Sequence, residues 1–99
     1  MARKFSRSRK FIVSNIKDVP ENKTIIYKLL NNSGTNLYTG IAGRARGQDR
    51  LLEHKKFKKD KIPGATKFSF AQVKNKKIAE DVEKRIIKNE QPKFNEQNK

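Results

Sequence analysis

Thr24-Ile25-Ile26-Tyr27-Lys28-Leu29-Leu30, Asn31-Asn32-Ser33-Gly34 and Asn36-Leu37-Tyr38-Thr39-Gly40-Ile41 read as strand, turn and strand. The flanks are rich in β-branched and aromatic residues, and the middle has turn chemistry, so the expectation is an antiparallel hairpin. It sets Tyr27 and Tyr38 on neighbouring strands. Tyrosine is common in sheets for packing reasons, so each phenol alone has a structural explanation. As a pair beside Gly40, which thins the backbone, they become candidates for chemistry.

Ala42-Gly43-Arg44-Ala45-Arg46-Gly47 follows as a basic glycine loop. It lacks the Lys-Ser/Thr pair of a Walker loop, and reads either as a connector or as a phosphate contact through Arg44 and Arg46. Gln48 to Lys59 reads as a helix, with Asp49 near its start and lysines, Lys55 and Lys56 among them, toward its end, as the helix dipole favours. At about 100° per residue, Arg50, His54 and Phe57 share one face. A guanidinium fork and an imidazole one turn apart can meet one phosphate. The same spacing also suits a solvated basic face.

Pro63-Gly64 ends that helix, and Thr66 to Val73 reads as a third strand, with Phe68, Phe70 and Val73 set against Lys67, Ser69 and Gln72. Lys76 to Asn89 is the clearest helix, with Ile78, Ala79, Val82 and Ile86 as its apolar stripe and Pro92 beyond its end. Glu83 falls inside the edge of that stripe. Glu80 and Asp81 do not. A carboxylate facing a core edge needs a partner, and either a Mg²⁺ ion or one of the many basic side chains serves. The element order β-β-α-β-α predicts an α+β sandwich, a three-stranded antiparallel sheet flanked by helices.

Upstream, residues 1–22 read as a basic arm and linker. Phe11-Ile12-Val13 is a patch able to dock on the domain, and Asp18 to Asn22 is turn-rich. Residues 23–95 form the domain and 96–99 a polar tail. The N-terminus is Arg/Ser-rich, which also suits a transit peptide, although a phosphate-binding arm is the simpler reading.

Composition limits the function classes. The 99 residues suffice for one core. Lys+Arg is 25 against Asp+Glu 10, a formal charge of +15. Such a charge makes nucleic acid the expected partner, through counterion release at phosphates. Absence of cysteine excludes disulfides and thiolate metal sites, and a single histidine excludes paired-His zinc sites. No apolar run approaches the roughly 18 residues of a membrane span. A cytoplasmic protein is the expectation, with association to the nucleoid left open.

Together these residues resemble the GIY-YIG nuclease superfamily. Ile25-Ile26-Tyr27 and Tyr38-Thr39-Gly40 resemble its two tripeptides, and Arg50 to His54 its Arg-x-x-x-His helix. Ala79 to Glu83 with Ile86-Ile87 resembles its Ala-x-x-x-Glu-x-x-Leu-Ile helix, and Pro92 to Asn95 its closing Pro-x-x-Asn. Ile25 stands where the family has glycine, and Thr39 departs at the centre of the second triplet. The resemblance implies a metal-dependent DNA endonuclease with one divalent ion, Mg²⁺ or Mn²⁺. It implies Glu83 as the metal ligand, Arg50 as stabiliser of the transition state, and Tyr27 as the group activating water, helped by Tyr38 and His54. Arg44, Arg46, Lys55, Lys56 and Asn95 would contact nucleic acid. The alternatives are a non-catalytic DNA- or RNA-binding protein of the same fold and a ribosomal-type RNA binder.

Overall fold

The computed structural model describes residues 5–56 and 61–95. In chain order the elements are β1 (Arg9–Lys10), α1 (Val13–Ile16), β2 (Thr24–Leu30), β3 (Asn36–Ala42), α2 (Gly47–Lys56), β4 (Lys67–Val73) and α3 (Lys76–Glu90). The sheet has four antiparallel strands in the order β1-β4-β2-β3. The expected hairpin is β2–β3. Its turn is held by the Asn31 side chain, which accepts from the backbone N–H groups of Ser33 and Thr35 at 2.9 Å each.

Four strands replace the expected three. Arg9 and Lys10 pair with Phe68 and Lys67, covering the outer edge of β4. Bonds on either side extend the contact: Ser6 N–H donates to Phe70 O at 2.7 Å, and Phe11 N–H to Thr66 O at 2.9 Å. A two-residue Arg-Lys strand has no apolar alternation to reveal it; it exists because an open edge offers backbone partners and because Phe11 anchors it. Phe11, Ile16 and Val19 are all buried in the core, so the packed body reaches upstream of residue 23.

The pleat separates two apolar layers. On one face Ile25, Tyr27, Leu29, Ala42 and Phe68 pack with Phe11, Ile16, Val19 and Leu51, so this layer is closed by α2 and the N-terminal segment. On the other, Ile26 and Val73 meet Ala79, with Ile41, Ile78, Val82 and Ile86 around them, closed by α3. Val73 thus lies opposite Phe68 and Phe70 rather than beside them, because strict alternation gives it the face of Ala71. Asn75 caps α3, its side chain accepting from Ile78 N–H at 2.9 Å, and Gln91 ends it in the left-handed region, φ 49°. Phe57, expected on the Arg50–His54 face, lies outside the described residues, as do the last residues of the expected α2 and the 96–99 tail.

Candidate active site

Register brings the two tyrosines together. Tyr27 pairs with Gly40 and Leu29 with Tyr38, so both phenols stand on the face covered by α2, their ring centres 6.3 Å apart. Tyr27 is fully buried. Its ring occupies space that a side chain at position 40 would need: a Cβ there would sit 2.6 Å from the Tyr27 hydroxyl oxygen and 3.0 Å from the Tyr38 ring. Gly40 is therefore a requirement of the phenol opposite it.

His54 comes from α2 onto the same spot. Its ring centre is 5.7 Å from that of Tyr27 and 5.1 Å from that of Tyr38, and its Nε2 lies 2.8 Å from the Tyr27 hydroxyl. At 5% exposure it is no surface histidine. Burial pushes the Tyr27 phenol well above its ordinary pKa, with Tyr38 adding to the effect. Arg50 opposes it by charge and hydrogen bonding, and Glu83 adds a smaller upward push. The Tyr27 hydroxyl is thus bonded to His54 and held in the field of Arg50, and the histidine tautomer decides which of the hydroxyl and Nε2 donates.

Arg50 lies one turn before His54. Its Nη1 donates to Glu53 Oε1 at 2.7 Å, and the other oxygen of Glu53 faces Arg46 Nη2 at 3.7 Å. Burial alone would lower the Arg50 pKa, but Tyr27, Glu53 and Tyr38 outweigh it and the net shift is upward. Arg50 is thus a fixed cation beside a buried phenol.

Glu83, on the buried side of α3, is half-buried and has no hydrogen bond or ion pair among the described residues. Burial, and then the charge of Glu80, raise its pKa. Glu90, at a similar helical angle, is by contrast engaged by Lys28 Nζ at 3.0 Å and Asn36 Nδ2 at 2.9 Å. No group of three or more metal-ligating His, Asp or Glu side chains forms among the described residues. The donor set therefore suits a hard cation that takes one or two carboxylates and fills its remaining positions with water and phosphate oxygens.

The outer candidates divide. Arg44, Arg46 and Lys56 are exposed, and Arg46 faces Glu53 beside Arg50. Lys55 is turned away, donating to Phe11 O at 2.8 Å and lying 4.8 Å above the Phe11 ring centre. Asn95 is buried and clamps β3: its Oδ1 accepts from Thr39 N–H at 2.6 Å and its Nδ2 donates to Thr39 O at 2.9 Å. Both amide atoms hold the strand between Tyr38 and Gly40. Sequence reasoning assigned no part to Glu53, although its i,i+3 spacing from Arg50 was a readable signal.

No family model and no curated protein matches the sequence. Among solved structures, the N-terminal GIY-YIG endonuclease domain of UvrC from Thermotoga maritima, bound to its catalytic divalent cation, magnesium, aligns with a TM-score of 0.70. The alignment covers 83% of this chain and 92% of that one at 27% identity. The chain has the GIY-YIG endonuclease fold. A Tyr-to-Phe point mutant of the same domain (26% identity, 83% and 91% of the chains) and an Asn-to-Ala one (26%, 82% and 90%) align equally well, each bound to the cation. Within this GIY-YIG fold, the first tripeptide ends on the buried Tyr27 and the second on the Gly40 that makes room for it.

Proposed function

We propose that this GIY-YIG domain is a metal-dependent endonuclease that hydrolyses phosphodiester bonds in DNA. One observation carries the reading: Glu83, a half-buried carboxylate with no hydrogen bond or ion pair among the described residues, acts electrostatically on the buried Tyr27 that bonds to His54, and Arg50 acts on the same phenol. A structural ion-pair network would have matched Glu83 with one of the abundant cations. The related UvrC domain binds a catalytic magnesium, and Glu83 is the residue here that would hold such an ion. When bound, a divalent ion supplies Lewis acidity at the phosphate and its leaving oxygen.

The chain's own groups account for the rest. Tyr27, once ionised, orients a water and takes its proton, while His54 holds the phenol oxygen in place across the 2.8 Å hydrogen bond. The water oxygen forms the new bond to phosphorus as the bond to the leaving sugar oxygen breaks. Arg50 directs its charge at the negative charge gathering on the phosphoryl oxygens. Tyr38, partly buried, packs its ring against those of Tyr27 and His54. Arg44, Arg46 and Lys56, exposed on a chain of charge +15, serve the flanking phosphates.

The test is nicking of supercoiled plasmid with Mg²⁺ or Mn²⁺, abolished by Glu83→Ala and by Arg50→Ala in proteins that keep the wild-type circular dichroism. Wild type that binds DNA in a salt-dependent way but never cuts with either ion would make the chain a non-catalytic nucleic-acid binder of this fold.

A further inference from the structure

Arg50 is gripped from two sides. Tyr27 acts on one, and on the other the Glu53 carboxylate takes Nη1 at 2.7 Å. This pair is no free surface contact: the Arg50 and Glu53 side chains are 32% and 28% exposed. Glu53 also reaches, with its second oxygen, toward Arg46 at the entry to α2. An arginine side chain has many rotamers, and its planar fork recognises a phosphate only in the right orientation. Arginine has five N–H donors, so a single bond to Glu53 can set the plane of the guanidinium and leave donors for a phosphate. The carboxylate has an opposing effect as well. It stands next to the approach of an anionic substrate and weakens its attraction.

We infer that Glu53 is a positioning residue that orients Arg50 for transition-state stabilisation, at some cost to substrate affinity. This rests on the endonuclease reading above. Glu53 touches no substrate; its short contact is with Arg50 at 2.7 Å, and its approach to Arg46 at 3.7 Å is the weaker one. Its removal should therefore weaken catalysis without weakening binding: kcat falls because the fork is no longer aimed, while KM stays equal or falls because a negative charge has left the binding face.

The experiment compares wild type, Glu53→Gln, Glu53→Ala and Arg46→Ala by two readouts. The first is steady-state cleavage of a labelled DNA with Mg²⁺. Both Glu53 variants should lose about ten- to hundredfold in kcat with KM equal or lower. The second is NMR relaxation of the Arg50 Nε–H group, which needs no turnover. It should be as rigid as the backbone in wild type and Arg46→Ala, and averaged by motion in both Glu53 variants. Wild-type kcat in those variants, a rise in KM at constant kcat, or an Arg50 that stays rigid without Glu53 would each overturn the inference. If wild type itself does not cut, the endonuclease reading fails by the first readout, and the second still decides whether Glu53 orders Arg50.

Discussion

The Tyr27 hydroxyl lies 2.8 Å from Nε2 of His54, with Tyr27 fully buried and His54 nearly so. Burial keeps the phenol protonated at neutral pH, so its ionised fraction, and any rate depending on it, should rise about tenfold per pH unit. Cleavage by wild type is expected to climb through the neutral and mildly alkaline range. Tyr27→Phe should lose at least about a hundredfold and flatten that slope, while costing only about 1–2 kcal/mol for the hydrogen bond. The same raised pKa has a stability signature. The contribution of the neutral phenol is present below the unfolded tyrosine pKa of about 10 and declines above it. Alkaline unfolding should therefore begin at higher pH in Tyr27→Phe.

Gly40→Ala tests the space that the phenol needs. The new methyl would arrive 2.6 Å from the Tyr27 hydroxyl oxygen and 2.7 Å from the carbon bearing it, so the ring must move and its bond to His54 must lengthen. Overpacking of this kind costs about 1–3 kcal/mol. Cleavage should fall by at least as much as in Tyr27→Phe, measured under conditions where denaturant titration shows the variant folded. Wild-type rates in Gly40→Ala would mean that the position of the phenol is not critical.

Much of this site was legible before any coordinates. The hairpin followed from turn chemistry, and Glu83 from its angle on the helical wheel between Ala79 and Ile87, both of which are buried. Other features depend on contacts that no local pattern encodes. Asn95 meets Thr39 across 56 residues, so its role as a clamp on β3 could not be told from that of a turn residue. Lys55 is basic like its neighbours but is captured by Phe11, whose place in the core depends on the β1–β4 pairing. A shared face for the two phenols needed the register, since the pairing of Tyr27 with Gly40 decides it.

Glu83 should behave as a group whose ionisation is a burden until a cation binds. Its pKa is raised by burial and by Glu80. The stability it contributes is thus present below the ordinary carboxylate range and is lost as pH rises through its raised value. At neutral pH, Glu83→Gln is expected to match or exceed wild type in Tm without added metal. Mg²⁺ should raise the Tm of wild type, by the equivalent of about 2.7 kcal/mol at a hundredfold excess over Kd, and should leave Glu83→Gln unmoved. Calorimetry with and without Mg²⁺ checks both parts. An equal response of the two proteins would place the ion elsewhere.

Ile25 occupies the position where the GIY-YIG motif carries glycine, and the structure supplies its counterpart in Gly47. Ile25 is fully buried. A Cβ at position 47 would come within 2.8 Å of its Cδ1 and 3.6 Å of Val19 Cγ1. The first turn of α2 therefore lies directly on the Ile25 side chain. That contact sets the height of the helix that carries Arg50 and His54. Ile25→Ala should open a cavity and cost about 2–5 kcal/mol, and Gly47→Ala should overpack and cost about 1–3 kcal/mol. Because each change makes room for or fills the same volume, the double variant should be more stable than the sum of the single losses by at least about 0.5 kcal/mol. Urea denaturation of the four proteins measures the coupling. Strict additivity would show that residues 25 and 47 do not share that volume, and Ile25 would then need another explanation.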